Sequence, residues 1–251
     1  MKPKKTLENY LDHHYIHRSN WLRAAVLGAN DGILSTASIA IGMAAATDLR
    51  EQIALATLAG LVAGALSMAA GEYVSVSSQT DVEQADIERE KKELQEDPEM
   101  ELQLLAQIYE QRGLKKETAL KVALEFTKKD ALAAHVRDEL GINEVNQANP
   151  IQAALASGAA FTVGGTLPFL VTLFFPVENM EIALYTSALF FLITLGATAA
   201  KTGGSSIRKA VLRITFWGTI AMGLTAFVGY LWNQRIRHFL HPNDKNLNQI
   251  Q

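Results

Sequence analysis

The chain has 251 residues, no cysteine and a formal net charge of −3 at pH 7. The missing cysteine excludes disulfides and thiolate metal sites, and nothing in the composition points to a nucleic-acid partner. The near-neutral average would suit a soluble enzyme, but the charges are distributed very unevenly. Residues 24–47 carry only Asp31, residues 52–80 only Glu72, and residues 151–177, 182–200 and 214–234 carry no charge. Residues 81–150 are dense in Glu, Asp, Lys and Arg. A helix needs about 20 apolar residues to cross a hydrocarbon core, so the five apolar runs predict five transmembrane helices. A large soluble core fits less well, because core helices normally keep a polar face and residues 182–195 have no charged one. The expected fold is therefore all-α: a polytopic membrane protein with five transmembrane helices and a three-helix cytoplasmic domain inserted between the second and third. The expected segments are an interfacial N-terminus (1–23), transmembrane helices 1–2 (24–80), the cytoplasmic helical domain (81–149), transmembrane helices 3–5 (150–235) and a C-terminal tail (236–251).

The first 23 residues are polar and basic with no early apolar stretch, so no cleavable signal peptide is expected. Residues 6–19 predict a short helix along the membrane surface, with Leu7, Tyr10, Leu11 and Tyr15 on one side. His13 and His17 are one turn apart, a metal-ligand spacing that a solvated polar face explains as well.

In the first apolar run, Asp31 sits within Gly28-Ala-Asn-Asp-Gly-Ile-Leu-Ser-Thr36. A carboxylate at such a depth costs roughly 2–3 kcal/mol on insertion scales and marks an ion path or a partner within the bundle. Asn30 and Ser35 add polar groups nearby, and Gly28 and Gly32 form a GxxxG that lets a neighbouring helix come close. In the second run Gly60, Gly64, Met68 and Glu72 recur at i, i+4 spacing and make one slowly drifting stripe. Its first half permits close packing, and its second half offers a soft thioether and a hard carboxylate. With Asp31 these suit a borderline dication such as Fe²⁺ better than Ca²⁺ or Mg²⁺. Taken singly, Met68 also reads as packing and Glu72 as a snorkelling end residue. In the third run, Gly164-Gly165-Thr166-Leu167-Pro168 predicts a kink or local opening.

Residues 81–97 continue the second helix into water with a crowd of acids. Pro98 starts a second helix that ends near Gly113, and a third runs from about Lys115 to Leu140 and stops at Gly141. Leu132, Val136 and Leu140 form its expected apolar face. Glu90 and Glu93 are i, i+3 neighbours, Glu101 follows the proline break and can fold back toward them, and His135 and Glu139 are i, i+4 neighbours. Carboxylates with one imidazole suit Fe²⁺, Mn²⁺ or Zn²⁺, although the spacing alone also fits a solvated helix with internal ion pairs. Lys and Arg favour the cytoplasmic side of short loops. The N-terminal tail has five and residues 81–150 have ten, whereas the link after the first helix has only Arg50 and that after the third has none. The N-terminus and residues 81–149 are therefore expected in the cytosol and the C-terminus outside.

Four stretches resemble the vacuolar iron transporter (VIT) family: residues 17–36, residues 67–79 (Ser67-Met-Ala-Ala-Gly-Glu-Tyr-Val-Ser-Val-Ser-Ser-Gln79), Ile108-Tyr-Glu-Gln-Arg-Gly-Leu114, and residues 130–142. The resemblance spans about residues 13–235. It implies a five-helix homodimer in a lipid bilayer that exchanges Fe²⁺ for protons, with a cytoplasmic helical domain binding metal through glutamates. It assigns Asp31 and Met68, with Glu72, to the translocation path. It assigns Glu90, Glu93 and Glu101, with Glu139 and His135, to the metal-binding domain. The family pattern has another acid three residues after Glu101, where this chain has Leu104. The resulting expectation is a transporter rather than an enzyme. It needs no cofactor and exports Fe²⁺ by proton antiport across the cell's inner membrane. The alternatives are Mn²⁺ or Ca²⁺ as cargo, or a membrane-anchored metal-binding or di-iron protein without transport. A di-iron site wants paired Glu-x-x-His motifs, and position 132 is Leu.

Overall fold

The computed structural model describes residues 19–142 and 149–240. Residues 6–18 of the expected surface helix, with His13 and His17, lie outside the described residues, as do residues 241–251 of the tail. The described residues form seven α-helices and one short 3-10 helix, with no strand among them. They are α1 (Ser19–Ala46), α2 (Arg50–Glu96), α3 (Pro98–Gln111), α4 (Lys116–Asp138), α5 (Pro150–Phe174), α6 (Met180–Thr202) and α7 (Ile207–Leu240). Five segments are long and apolar enough to cross a membrane: Leu22–Ala46, Arg50–Glu96, Pro150–Phe174, Val177–Thr202 and Ile207–Arg235. The protein is an all-α polytopic membrane protein. The chain divides into two compact units, Met1–Glu72 with Ile151–Gln251, and Tyr73–Pro150.

The first unit is organised around α1. Ile33, Ala37 and Ile41 of α1 pack with Leu184, Ala188 and Leu192 of α6, Met222 of α7 and Ile53 of α2. Lipid tails are as apolar as leucine, so helices in a bilayer gain little by hiding apolar surface from each other and associate instead through close packing of small residues. Gly28 and Gly32 show this directly: a methyl group on either would collide with the main-chain carbonyl of Ser157 or Phe161 on α5. Further along α2, Gly60 faces Ile39 of α1, and Gly64 faces the ring of Phe161. The i, i+4 stripe of α2 thus begins inside the bundle. The local opening expected at Gly164–Pro168 is not found, because α5 runs through Pro168 as one helix. Pro168 is fully buried, and the neighbours that enclose it hold the helix together across the missing amide donor.

Arg50 ties two helix ends together. Its guanidinium donates to the carbonyls of Thr172 (3.0 Å) and Leu173 (2.7 Å) in the last turn of α5 and of Phe175 (2.6 Å) just beyond it, acceptors that a helix end leaves unpaired. Charge-assisted bonds of this kind are worth about 1–2 kcal/mol at a partly exposed site. Arg50→Ala is expected to lower the thermal midpoint of the detergent-solubilised protein by roughly 3–8 °C. An unchanged midpoint would mean that water satisfies those carbonyls equally well.

In the second unit, α3 starts where Asp97 caps it by accepting from the Met100 amide (3.1 Å), with Pro98 in the first turn. It stops at Gly113, whose φ of 100° suits only a residue without a side chain. The expected continuous third helix is interrupted. Asp130 has extended backbone (φ −166°, ψ 98°), and its carboxylate accepts from the Ala133 amide, so it caps a second short segment. This break changes the buried face. Leu132, Val136 and Leu140 are only half-buried, whereas Ala134 and His135 are fully enclosed. The small core comprises Leu105, Ala106, Tyr109, Ala119, Ala123 and Ala134.

Candidate metal centre

The second unit brings four of the expected ligands to one point. Glu90 comes from the last turns of α2, Glu101 from the first turn of α3, His135 from the segment after the Asp130 break, and Glu139 from just beyond the end of α4. One ligand atom from each lies within 4.8 Å of all the others. The Nδ1 of His135 is 2.8 Å from Glu139 Oε2, 3.0 Å from Glu90 Oε1 and 3.8 Å from Glu101 Oε2. His135 is completely buried and Glu90 is 3% exposed. The single Asp97 link between α2 and α3 turns the chain back and sets Glu101 beside Glu90. Glu93, one turn on from Glu90, is exposed and stands outside the four, though its charge still reaches Glu90 and Glu101. Leu104 is half-buried and brings no oxygen.

Three carboxylates face one imidazole, so even a protonated His135 leaves two negative charges uncompensated. Burial raises the Glu90 carboxyl above its ordinary value; Glu139, Glu101 and Glu93 add to the rise, and His135 opposes it. Burial likewise raises Glu101, with Glu139, Glu93 and Asp97 adding and His135 opposing. Among the described residues Glu90 Oε1 has only the 3.0 Å approach of His135 Nδ1 and no well-formed hydrogen bond, and buried His135 Nε2 has no hydrogen-bond partner. Ligand atoms on opposite sides of a dication with bonds of about 2.1 Å are roughly 4.2 Å apart. Side-chain adjustments of a few tenths of an ångström would close the group onto such an ion. Carboxylate oxygens with one imidazole nitrogen fit a first-row dication.

The raised carboxyls set the sign of a pH dependence. Metal-free, Glu90 and Glu101 favour folding while protonated, and that contribution is lost as pH rises from the ordinary glutamate range through their raised values. A dication reverses this by displacing the protons. Binding of Mn²⁺ to the whole protein is therefore expected to strengthen as pH rises above the ordinary glutamate range and to release protons. Titration calorimetry in two buffers of different ionisation heat measures that release, and pH-independent binding with none released would contradict the site.

A neighbouring cluster, not singled out from the sequence, holds the scaffold. Asp138 accepts from the Tyr109 hydroxyl (2.8 Å) and from the guanidiniums of Arg112 and Arg137. Burial alone would raise the Asp138 carboxyl, but the bonds from Arg137, Arg112 and Tyr109 outweigh it and hold it at about 2. Arg137 also lies over the Phe126 ring, 4.8 Å from its centre. Asp138 adjoins Glu139, so this network fixes the end of α4 against α3. The only sequence signal was the aromatic and basic content near Gly113, which is too common to find it.

The translocation candidates Asp31, Met68 and Glu72 all lie in the first unit, Glu72 as its last residue before the division at Tyr73, and none of them joins a ligand cluster like that above. Asp31 is half-buried on α1, and its carboxylate has no hydrogen-bond or ion-pair partner among the described residues; only its main-chain carbonyl is engaged, by Ser35 Oγ at 2.6 Å. Met68 and Glu72 are half-buried on α2, following Gly60 and Gly64 along the same stripe.

A sequence model of the VIT family matches residues 22–230. A vacuolar iron transporter of Acanthamoeba castellanii is 44% identical over 214 residues, covering 85% of this chain and 79% of that protein. Vacuolar iron transporter homolog 2.1 of Arabidopsis thaliana is 35% identical, covering 86% of this chain and 84% of that protein. Vacuolar iron transporter homolog 5 of Oryza sativa subsp. japonica is 35% identical, covering 83% and 78%.

Proposed function

The chain belongs to the VIT family, whose members are transporters rather than enzymes, and on that premise we propose that it exports Fe²⁺ from the cytosol in exchange for protons. The convergence of Glu90, Glu101, His135 and Glu139 carries this reading, because it is a buried, over-negative ligand set fitted to a transition-metal dication. The cluster captures Fe²⁺ on the cytosolic side, with exposed Glu93 attracting the ion. Asp31, Met68 and Glu72 then replace part of its hydration shell within the membrane. Proton and metal compete for the same carboxylate oxygens, so protons entering from the far side release the metal. No nucleotide motif is needed for such an exchange.

Two copies share the path. α2 buries only 17% of its apolar window within one chain, yet it carries the half-buried Met68 and Glu72, as a helix that meets its symmetry mate would. The Lys and Arg distribution supports a cytosolic N-terminus and a cytosolic domain over 81–149, in the inner membrane of the cell. The relatives' names refer to a vacuole; both membranes bound the cytosol, so the direction of export is the same.

Proteoliposomes with an acidic interior test this. Fe²⁺ is expected to enter while the interior becomes more alkaline, and dissipating the gradient is expected to stop both. Metal uptake indifferent to the gradient would refute antiport. Mn²⁺, a harder first-row dication, competes through the carboxylates and the imidazole, and the Met68 thioether makes Ca²⁺ a weak competitor.

A further inference from the structure

Within the membrane unit, α1, α6 and α7 line an open cavity of about 750 Å³. We propose that it binds an anionic phospholipid from the leaflet in which α1 and α7 begin. Arg23 and Arg213 line the cavity; Arg23 is the second residue of the span Leu22–Ala46, and Arg213 lies nearly two turns into Ile207–Arg235. Neither guanidinium has an ion-pair partner among the described residues, and no Asp or Glu lines the cavity. The Asn30 side-chain oxygen at its wall is buried and accepts no hydrogen bond from the described residues.

The remaining wall is apolar. Leu34 lines it, and Leu27 (47% exposed) and Trp217 (62% exposed) leave it open sideways, at depths where a membrane helix faces acyl chains rather than water. Two cations near one boundary with an apolar groove below match the two halves of a phospholipid. A free phosphate would use the arginines and leave the groove without purpose. The unpaired Asn30 acceptor suits a hydroxyl donor, such as the glycerol headgroup of phosphatidylglycerol. Basic pockets between membrane helices are general sites for anionic headgroups.

Native mass spectrometry of the full-length protein in detergent, titrated with phosphatidylglycerol or phosphatidylcholine, tests the proposal. The wild-type protein is expected to retain phosphatidylglycerol and not phosphatidylcholine. Each basic residue near an anionic headgroup is worth roughly fivefold, so Arg23→Gln with Arg213→Gln is expected to weaken retention about thirtyfold. Gly196→Leu, which fills the cavity and keeps both arginines, is expected to lose the lipid as well. Arg208→Gln with Lys209→Gln removes the same charge outside the cavity and is expected to retain it. Unchanged elution volume shows that each variant is folded. Equal retention of both lipids, retention by the arginine variant, or loss in the Arg208/Lys209 variant overturns the proposal. Displacement of the lipid by glycerol phosphate at equal concentration would also overturn it, because the ligand would then be the soluble phosphate.

Discussion

Asp31→Asn is expected to reduce Fe²⁺ flux in proteoliposomes to the level of empty vesicles while the protein remains folded. The substitution keeps the shape of the side chain and removes its charge. Asp31 is half-buried within a membrane span and has no hydrogen-bond or ion-pair partner on its carboxylate among the described residues, so the amide breaks no scaffold contact. A charged group at such a depth costs roughly 2–3 kcal/mol on insertion scales, so the neutral variant is expected to be at least as stable as the wild type. Lost flux with an unchanged or raised thermal midpoint would therefore isolate a transport role from a structural one. Undiminished flux would remove Asp31 from the path.

Glu90→Gln is expected to have opposite effects on the metal-free and the metal-loaded protein. Metal-free, Glu90 is a buried carboxylate surrounded by Glu101 and Glu139, and burial and these neighbours already raise its carboxyl. Removing that charge relieves repulsion, so the thermal midpoint rises. Metal-loaded, the same substitution removes a ligand oxygen. Loss of even a group that only orients a ligand weakens metal binding about 10–100-fold, and loss of the ligand itself is expected to reach at least the upper end. The rise in midpoint on adding Mn²⁺ should shrink accordingly. Calorimetric titration of the full-length protein gives the affinity directly. A variant binding Mn²⁺ as tightly as the wild type would exclude Glu90 as a ligand. His135→Ala is a poorer test, because the ring is completely buried and its removal leaves a cavity beside Ala134.

Much of the ligand set is legible in the amino-acid sequence, for a local reason. Glu90 with Glu93, and His135 with Glu139, are helix neighbours whose spacing is visible in the chain, and the proline after Asp97 announces the reversal that returns Glu101 toward Glu90. Spacing alone could not separate Glu90 from Glu93, which share a helix surface. Only the packing of α3 and α4 buries one and leaves the other in solvent. Nor could it find the break at Asp130, because the residues on both sides are good helix formers, and only the folded chain shows the extended backbone there with the Asp130 carboxylate accepting from the Ala133 amide.

The sequence by itself determined that the protein crosses the membrane five times and that one acid, Asp31, lies deep in the first span. Hydrocarbon tolerates only long uncharged helices, and that demand is written residue by residue along the chain. It also determined the family, through motifs contiguous in sequence. Tertiary structure alone decided which helices meet at Gly28 and Gly32, why Pro168 does not break α5, and that Asp138 joins Arg112 and Tyr109 beside the candidate metal centre. Each of these depends on groups distant in sequence, and close packing, unlike hydropathy, has no signature within a single segment.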